Sequence, residues 1–159
     1  MDYQEIRDLI ANARKRTPVT VYVRHEGELG GAAGVDLMVF PTGAGTTVLV
    51  GEWAAVRTLI DNAGSRVQYF HVDNDRRNSA IPLLDMRLVN ARIEPGAFIR
   101  DKVEIGDHVI VMMGAVINIG AVVGAGTMID MNAVVGARAL VGKDCHIGAG
   151  AVLAGVLEP

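Results

Sequence analysis

Glu94, Met112, Asp130 and Gly148 succeed one another at intervals of 18 residues, with Arg92 just before the first and His146 just before the last. If the chain coils with an 18-residue turn, these residues stack along one edge. A carboxylate such as Asp130 is a candidate general base. A guanidinium such as Arg92 grips a carboxylate through two parallel hydrogen bonds. Two coils would separate them by roughly 10 Å at the usual strand spacing. That gap suits a small dicarboxylate held between a guanidinium and a base. A plainer reading stands beside this one: Asp and Asn are accepted at tight corners for backbone reasons alone. Arg100 and Asn118, at equivalent corner positions, are further candidates for substrate binding.

The 18-residue interval comes from a stricter period. From Ile93 to Glu158 the chain repeats every six residues through eleven hexads. The first residue of each is aliphatic, from Ile93, Ile99 and Ile105 to Ile147 and Leu153, and the fifth is mostly small, as at Ala97, Ala115 and Ala133. These two positions lie two residues apart across the hexad boundary, so in an extended chain both point inward and the sixth points outward. Positions two to four carry Gly, Asp, Asn and Lys, residues that suit turns and tolerate left-handed backbone. Such a period predicts a parallel β-helix of three-sided coils. The sixth positions then form three walls. Phe98, Val116, Val134 and Val152 line one; Glu104, Val122, Leu140 and Glu158 a second; Ile110, Met128 and His146, with Arg92 at the foot, the third. The first wall is apolar throughout, which predicts that another surface covers it. A rotationally symmetric trimer is the preferred arrangement.

Ahead of the repeat the pattern changes. Asp2 and Glu5 form a capping-box pair before a helical face of Ile6, Leu9, Ile10 and Ala13, and Thr17-Pro18 ends it. Residues 19–24, 35–40 and 46–50 read as strands. Trp53, Val56, Leu59, Ile60 and Ala63 mark a second helix closed by Gly64. The expected organisation is a small α/β domain with a charged connector over residues 1–90, then the β-helix over 91–159.

Composition narrows the function. The chain has 15 basic and 18 acidic residues, a net charge of −3, and no basic stripe. Nucleic acid is therefore not an expected partner. The single cysteine, Cys145, cannot form an internal disulfide and falls at an inward position. No two histidines are spaced as paired zinc ligands on a coil, so no metal is expected. The first residues show neither a basic region nor an apolar run, and no window suggests a membrane span. A cytoplasmic protein with no membrane association is the expectation.

Several longer runs carry a resemblance. They include Glu52-Trp53, Asn74-Asp75-Arg76-Arg77-Asn78-Ser79-Ala80-Ile81-Pro82 and Ala91-Arg92-Ile93-Glu94-Pro95-Gly96-Ala97. Further along come Gly126-Thr127-Met128-Ile129-Asp130-Met131-Asn132, Cys145-His146-Ile147-Gly148-Ala149-Gly150 and the ending Gly155-Val156-Leu157-Glu158-Pro159. With the hexads, they resemble the hexapeptide acyltransferase superfamily and, within it, the tetrahydrodipicolinate N-acetyltransferases of diaminopimelate and lysine biosynthesis. The resemblance implies left-handed parallel β-helices assembled as homotrimers with sites between subunits. It implies acetyl-CoA as co-substrate, with no permanently bound cofactor, and acetyl transfer to the amine of ring-opened tetrahydrodipicolinate, 2-amino-6-oxopimelate. Carried over, Asp130 orients or deprotonates that amine and Arg92 holds a carboxylate. Family members continue past the segment matching Pro159, and much of their CoA site lies there. The resemblance thus implies a chain shortened at its C-terminus, and no CoA-contacting residue is assigned. Two alternatives are a related succinyl- or amino-sugar acyltransferase and a non-catalytic trimeric scaffold.

Overall fold

The computed structural model describes residues 2–30 and 34–156. Leu157 and Glu158 of the last hexad, and Pro159, which the family resemblance also includes, lie outside the described residues. Two compact units emerge: Met1–Ala13 with Ile81–Pro159, and Arg14–Ala80. The unit holding the repeat therefore starts before residue 91 and also includes the first helix.

That helix, α1 (Tyr3–Asn12), has the expected capping box. The Glu5 backbone N–H donates to Asp2 Oδ1 at 2.8 Å, and the Asp2 N–H donates to Glu5 Oε2 at 2.8 Å. Of its apolar face only Ile6 is fully buried. Ile6 lies against the β-helix corner at Gly120, where an added Cβ would stand 2.3 Å from its Cδ1. The Tyr3 ring takes the Arg138 guanidinium over its face at 5.9 Å, within cation–π range.

Arg14–Ala80 forms a four-stranded antiparallel sheet. Its strands are β1 (Pro18–His25), β2 (Leu37–Gly43), β3 (Thr46–Glu52) and β4 (Val67–Asp73), in the order β2-β3-β1-β4. Between β3 and β4 the chain forms α2 (Trp53–Ala63), ended by Gly64 as its sequence predicts. Val19, Val21 and Val23 of β1 alternate inward with Leu49 and meet Val56, Leu59 and Ile60 of α2. The expected strand over residues 35–40 starts instead at Leu37, and Val35 is fully exposed. β4, which the sequence reading omits, is an edge strand with little burial.

From Arg92 onward the chain is a parallel β-helix of two-residue strands, and every pairing is between residues 18 apart. One sheet stacks Arg92–Ile93, Ile110–Val111, Met128–Ile129 and His146–Ile147. A second stacks Phe98–Ile99, Val116–Ile117, Val134–Val135 and Val152–Leu153. A third stacks Glu104–Ile105, Val122–Val123 and Leu140–Val141. These are the three walls read from the hexads. The first-position residues fill the interior: Ile117, Ile129 and Val135 are 0% exposed. Thr127, the one buried polar residue among the described residues of the column, donates from Oγ1 to the Gly142 carbonyl at 2.8 Å and accepts the Cys145 N–H at 3.0 Å. Below the first coil, Leu84 packs on the core and its N–H donates to the Ile99 carbonyl at 2.9 Å. This segment closes the lower end as a cap, which a stacked-coil column needs.

Corner stereochemistry is more specific than the sequence reading. Left-handed backbone falls on the fourth hexad position throughout, from Gly96 and Lys102 to Asp144 and Gly150. The recurrent second-position glycines do not use it. At Gly124 an added Cβ would stand 2.5 Å from the Gly142 carbonyl carbon and 2.6 Å from Lys143 N. At Gly124, as at Gly106 and Gly136, close stacking of backbone on backbone, rather than left-handed torsion, therefore demands glycine. Gly124→Ala is expected to destabilise the column by about 1–3 kcal/mol through overpacking. A thermal melt unchanged from wild type would contradict the cause given for these glycines. Among the described residues no helix is long and apolar enough to cross a membrane.

Candidate functional site

The corner that follows the Met128–Ile129 strand carries Asp130, and the strand stacked above it carries His146. Asp130 uses its two carboxylate oxygens differently. Oδ1 accepts the Met131 backbone N–H at 2.8 Å, a local corner bond. Asn118 Oδ1 makes the same bond to the Ile119 N–H at 2.8 Å, so this half of the arrangement is structural. Oδ2 instead meets His146 Nε2 at 3.1 Å, and Asn118 has no such second partner among the contacts described. The Met131 N–H, and next the His146 imidazole, hold the Asp130 carboxyl below the ordinary carboxylate range, with desolvation opposing them. Asp130 is thus an anion at neutral pH. Its side chain is 21% exposed and that of His146 61%, so the pair opens to solvent.

Arg92 stands on the same sheet two strands below Met128, through Ile110. That separates it from the Asp130 corner by about 10 Å of column at the usual strand spacing. Its guanidinium is only loosely engaged: Nε is 3.7 Å from Glu94 Oε1, and Nη2 is 3.9 Å from Met112 Sδ. An open cleft of about 670 Å³ lies beside it, lined by Asn90, Ala91, Arg92, His108, Val109 and Ile110. The lining of that cleft stops short of Asp130 and His146; strand stacking alone puts Arg92 and His146 on one sheet, with Glu94, Met112 and Asp130 at the corners that follow its strands.

Arg100 and Asn118 are placed elsewhere. They occupy the corners after Phe98–Ile99 and Val116–Ile117, at the far side of the apolar wall from Asp130. Arg100 Nη1 donates to the Ile81 carbonyl at 3.2 Å. Within one chain these residues do not join Arg92 and Asp130. Arg76, in the run Asn74 to Pro82, is committed to Asp75 at 2.6 and 2.7 Å. Cys145 is a free, partly buried thiol whose Sγ donates to the Lys143 carbonyl at 3.4 Å.

The contact that the sequence reading missed is the bond between Asp130 and His146. A search at the 18-residue interval passes over it because the two are 16 apart. A sixth-position side chain leaning onto the second-position corner of the coil below gives that offset.

Comparison with known proteins adds to this geometry. The model described as tetrahydrodipicolinate succinyltransferase N-terminal matches residues 1–86, and that of the bacterial transferase hexapeptide, six repeats, matches 120–155. The 2,3,4,5-tetrahydropyridine-2,6-dicarboxylate N-acetyltransferase of Bacillus subtilis (strain 168) is 58% identical over 160 residues, covering 100% of this chain and 66% of its own length. The protein of that name from Halalkalibacterium halodurans is 56% identical over 160 residues, with 65% of its length covered. The one from Listeria monocytogenes serotype 4a (strain HCC23) is 55% identical over 159 residues, with 66% covered. The chain accordingly spans about 66% of the length of these relatives.

Proposed function

We propose, since the chain belongs to the family of the tetrahydrodipicolinate succinyltransferase N-terminal model and carries the bacterial transferase hexapeptide repeat, that it transfers an acetyl group from acetyl-CoA to the amine of ring-opened tetrahydrodipicolinate. The observation that carries this reading is the ionised Asp130 corner standing on one open face with the loosely held Arg92. Arg92 takes a carboxylate of the acceptor. Asp130 faces the amine, and attack of that nitrogen on the thioester carbonyl forms the amide and expels the CoA thiolate. A carboxyl held low is a weak proton acceptor near neutrality, since a general base works best with a pKa near the working pH. The role of Asp130 is therefore to orient groups and to offset positive charge. The donor is assigned as acetyl because the relatives matched over the whole chain are named N-acetyltransferases. The succinyl donor in the family description is the competing choice.

Assembly follows from the neighbouring apolar wall. Phe98 is 56% exposed and Val152 69%, with Val116 also exposed between them. A trimer that covers this wall removes the apolar strip from water. Asp130 and Asn118 sit at its two sides, so a rotationally symmetric contact sets the Asp130 edge of one subunit near the Arg100 and Asn118 edge of the next. The four residues then line one cleft between subunits, and a cytoplasmic location is part of the same proposal. Sedimentation is expected to give a trimer at micromolar concentration, and a monomer would oppose this assembly.

The reaction is tested by mixing the protein with acetyl-CoA, acceptor and a thiol reagent. Release of CoA that needs both substrates, and that succinyl-CoA supports less well, is the expected result. Release that ignores the acceptor, or no release, would refute the assignment.

A further inference from the structure

We propose that Arg138 of the neighbouring subunit grips the acceptor carboxylate beside the reacting amine, positioned for it by the ring of Tyr3. This rests on the acetyl-transfer reading and on the trimer that goes with it. It divides the two acceptor carboxylates between two arginines.

The acceptor is a dicarboxylate, and one of its carboxylates shares a carbon with the amine. By ordinary bond lengths that carboxylate carbon is about 2.5 Å from the nitrogen. The other stands at the far end of a seven-carbon chain, roughly 7–8 Å away when extended. Arg92, about 10 Å down the column from the Asp130 corner, suits the distant carboxylate. The near one needs a cation at the height of Asp130.

Arg138 has that height. It follows Asp130 by eight of the 18 residues of a coil, so it stands about 2 Å higher along the column. Rotation about an axis parallel to the column leaves heights unchanged. In the proposed trimer, the corner that carries Arg138 meets the Asp130 edge of the next subunit. Lys102, Gly120 and Arg138 stack on that corner: the Gly120 N–H donates to the Lys102 carbonyl and the Arg138 N–H to the Ile119 carbonyl, each at 3.1 Å. Arg100, on the same corner, stands about 8 Å below Asp130 and is turned to the Ile81 carbonyl.

The chemistry of Arg138 fits the task. The residue is half-buried, and no carboxylate pairs with its guanidinium among the described residues. A partly desolvated cation is unfavourable until an anion joins it. The Tyr3 ring, 5.9 Å away, holds one face of the guanidinium. Stacking leaves the in-plane fork of N–H donors for a carboxylate. The Tyr3 hydroxyl is buried without a hydrogen-bond partner among the described residues, so the ring is what positions the arginine. Arg138 also has a φ of 62°, in the left-handed region that Gly or Asn enters more readily. Arginine stands there against the preference of the backbone.

The test uses Arg138→Asn, with the chain otherwise as the natural gene encodes it. Asn132 holds a φ of 56° at the matching place on another corner, so the variant should keep the fold and its melting temperature. Loss of a charge-assisted, two-bond grip is expected to lower kcat/KM for the acceptor about 10–100-fold. The KM for acetyl-CoA should not change. Tyr3→Leu should show a smaller loss of the same kind, and Tyr3→Phe should recover it. Complementation reads the placement directly. Co-expressed Arg138→Asn and Asp130→Asn subunits form mixed trimers, in which about a quarter of the clefts take both residues from unaltered positions. With acceptor well below its KM, activity is expected to approach a quarter of the wild-type rate, above that of either variant. A kcat/KM for Arg138→Asn within about threefold of wild type, or an equal loss in the KM for acetyl-CoA, would overturn the grip. Mixed trimers no more active than the two variants would overturn its placement across subunits. If wild type releases CoA and these expectations fail, only this inference falls. If wild type releases none, the acetyl-transfer reading falls and this one with it.

Discussion

Asp130→Asn is expected to lower kcat about 10²-fold or more while leaving the melting temperature close to wild type. Asn retains an oxygen for the Met131 N–H, the bond that Asn118 makes naturally at its own corner, so the column should fold. What it loses is the charge and the second acceptor. An amide there no longer offers His146 Nε2 a carboxylate oxygen or the acceptor amine a negative charge. The carboxylate also contributes to stability with a definite sign. Its folded-state pKa lies below that of an unfolded chain. Its contribution is therefore present above the unfolded value and is lost as pH falls through the folded one. The activity loss should be seen at neutral pH, where wild-type Asp130 is ionised. Full activity in this variant would remove the residue from the mechanism.

Val123→Asp is expected to leave no folded column. Val123 is 1% exposed, in a strand paired on both sides, to Ile105 below and Val141 above. A carboxylate there has no partner, and an uncompensated buried charge costs about 3–5 kcal/mol. That is comparable with the whole stability of many domains, about 5–15 kcal/mol. In a stacked column the damage also spreads, since each coil is held by its neighbours. Loss of soluble protein, or of a cooperative melt, is the expected outcome. A soluble variant with unchanged melting would contradict the inward assignment of the first hexad position.

Much of the column was legible because its pattern is one-dimensional. Ile117 and Val135 recur at a fixed place in the hexad, and once three hexads are taken to close one coil the pairing of Met128 with His146 follows from counting. The corners were legible only in part. Sequence shows that glycine recurs at Gly106 and Gly124, but the neighbour that excludes a Cβ is the backbone of the coil above. Such an atom leaves no residue-type signal of its own. The bond between Asp130 and His146 was hidden for a related reason: side chains lean across coils, so the contact does not keep the interval of the backbone. α1 shows the same limit. Asp2, Glu5 and Ile6 announce a capped helix, yet nothing in them states that Ile6 will rest on Gly120 of the column. β4 went unread because Gln68, Tyr69, Phe70 and His71 are all exposed, so no alternation marks it as a strand. Arg100 and Asn118 stand on an edge that the apolar wall separates from Asp130 within one chain.

A crystal structure of the protein with the acceptor bound tests the central claim most directly, because that claim is about where one amine sits. The account predicts the acceptor nitrogen within hydrogen-bond reach, about 2.6–3.2 Å, of the Asp130 and His146 pair, with a carboxylate on Arg92. An acceptor bound elsewhere, with Asp130 and His146 still facing solvent, would contradict it.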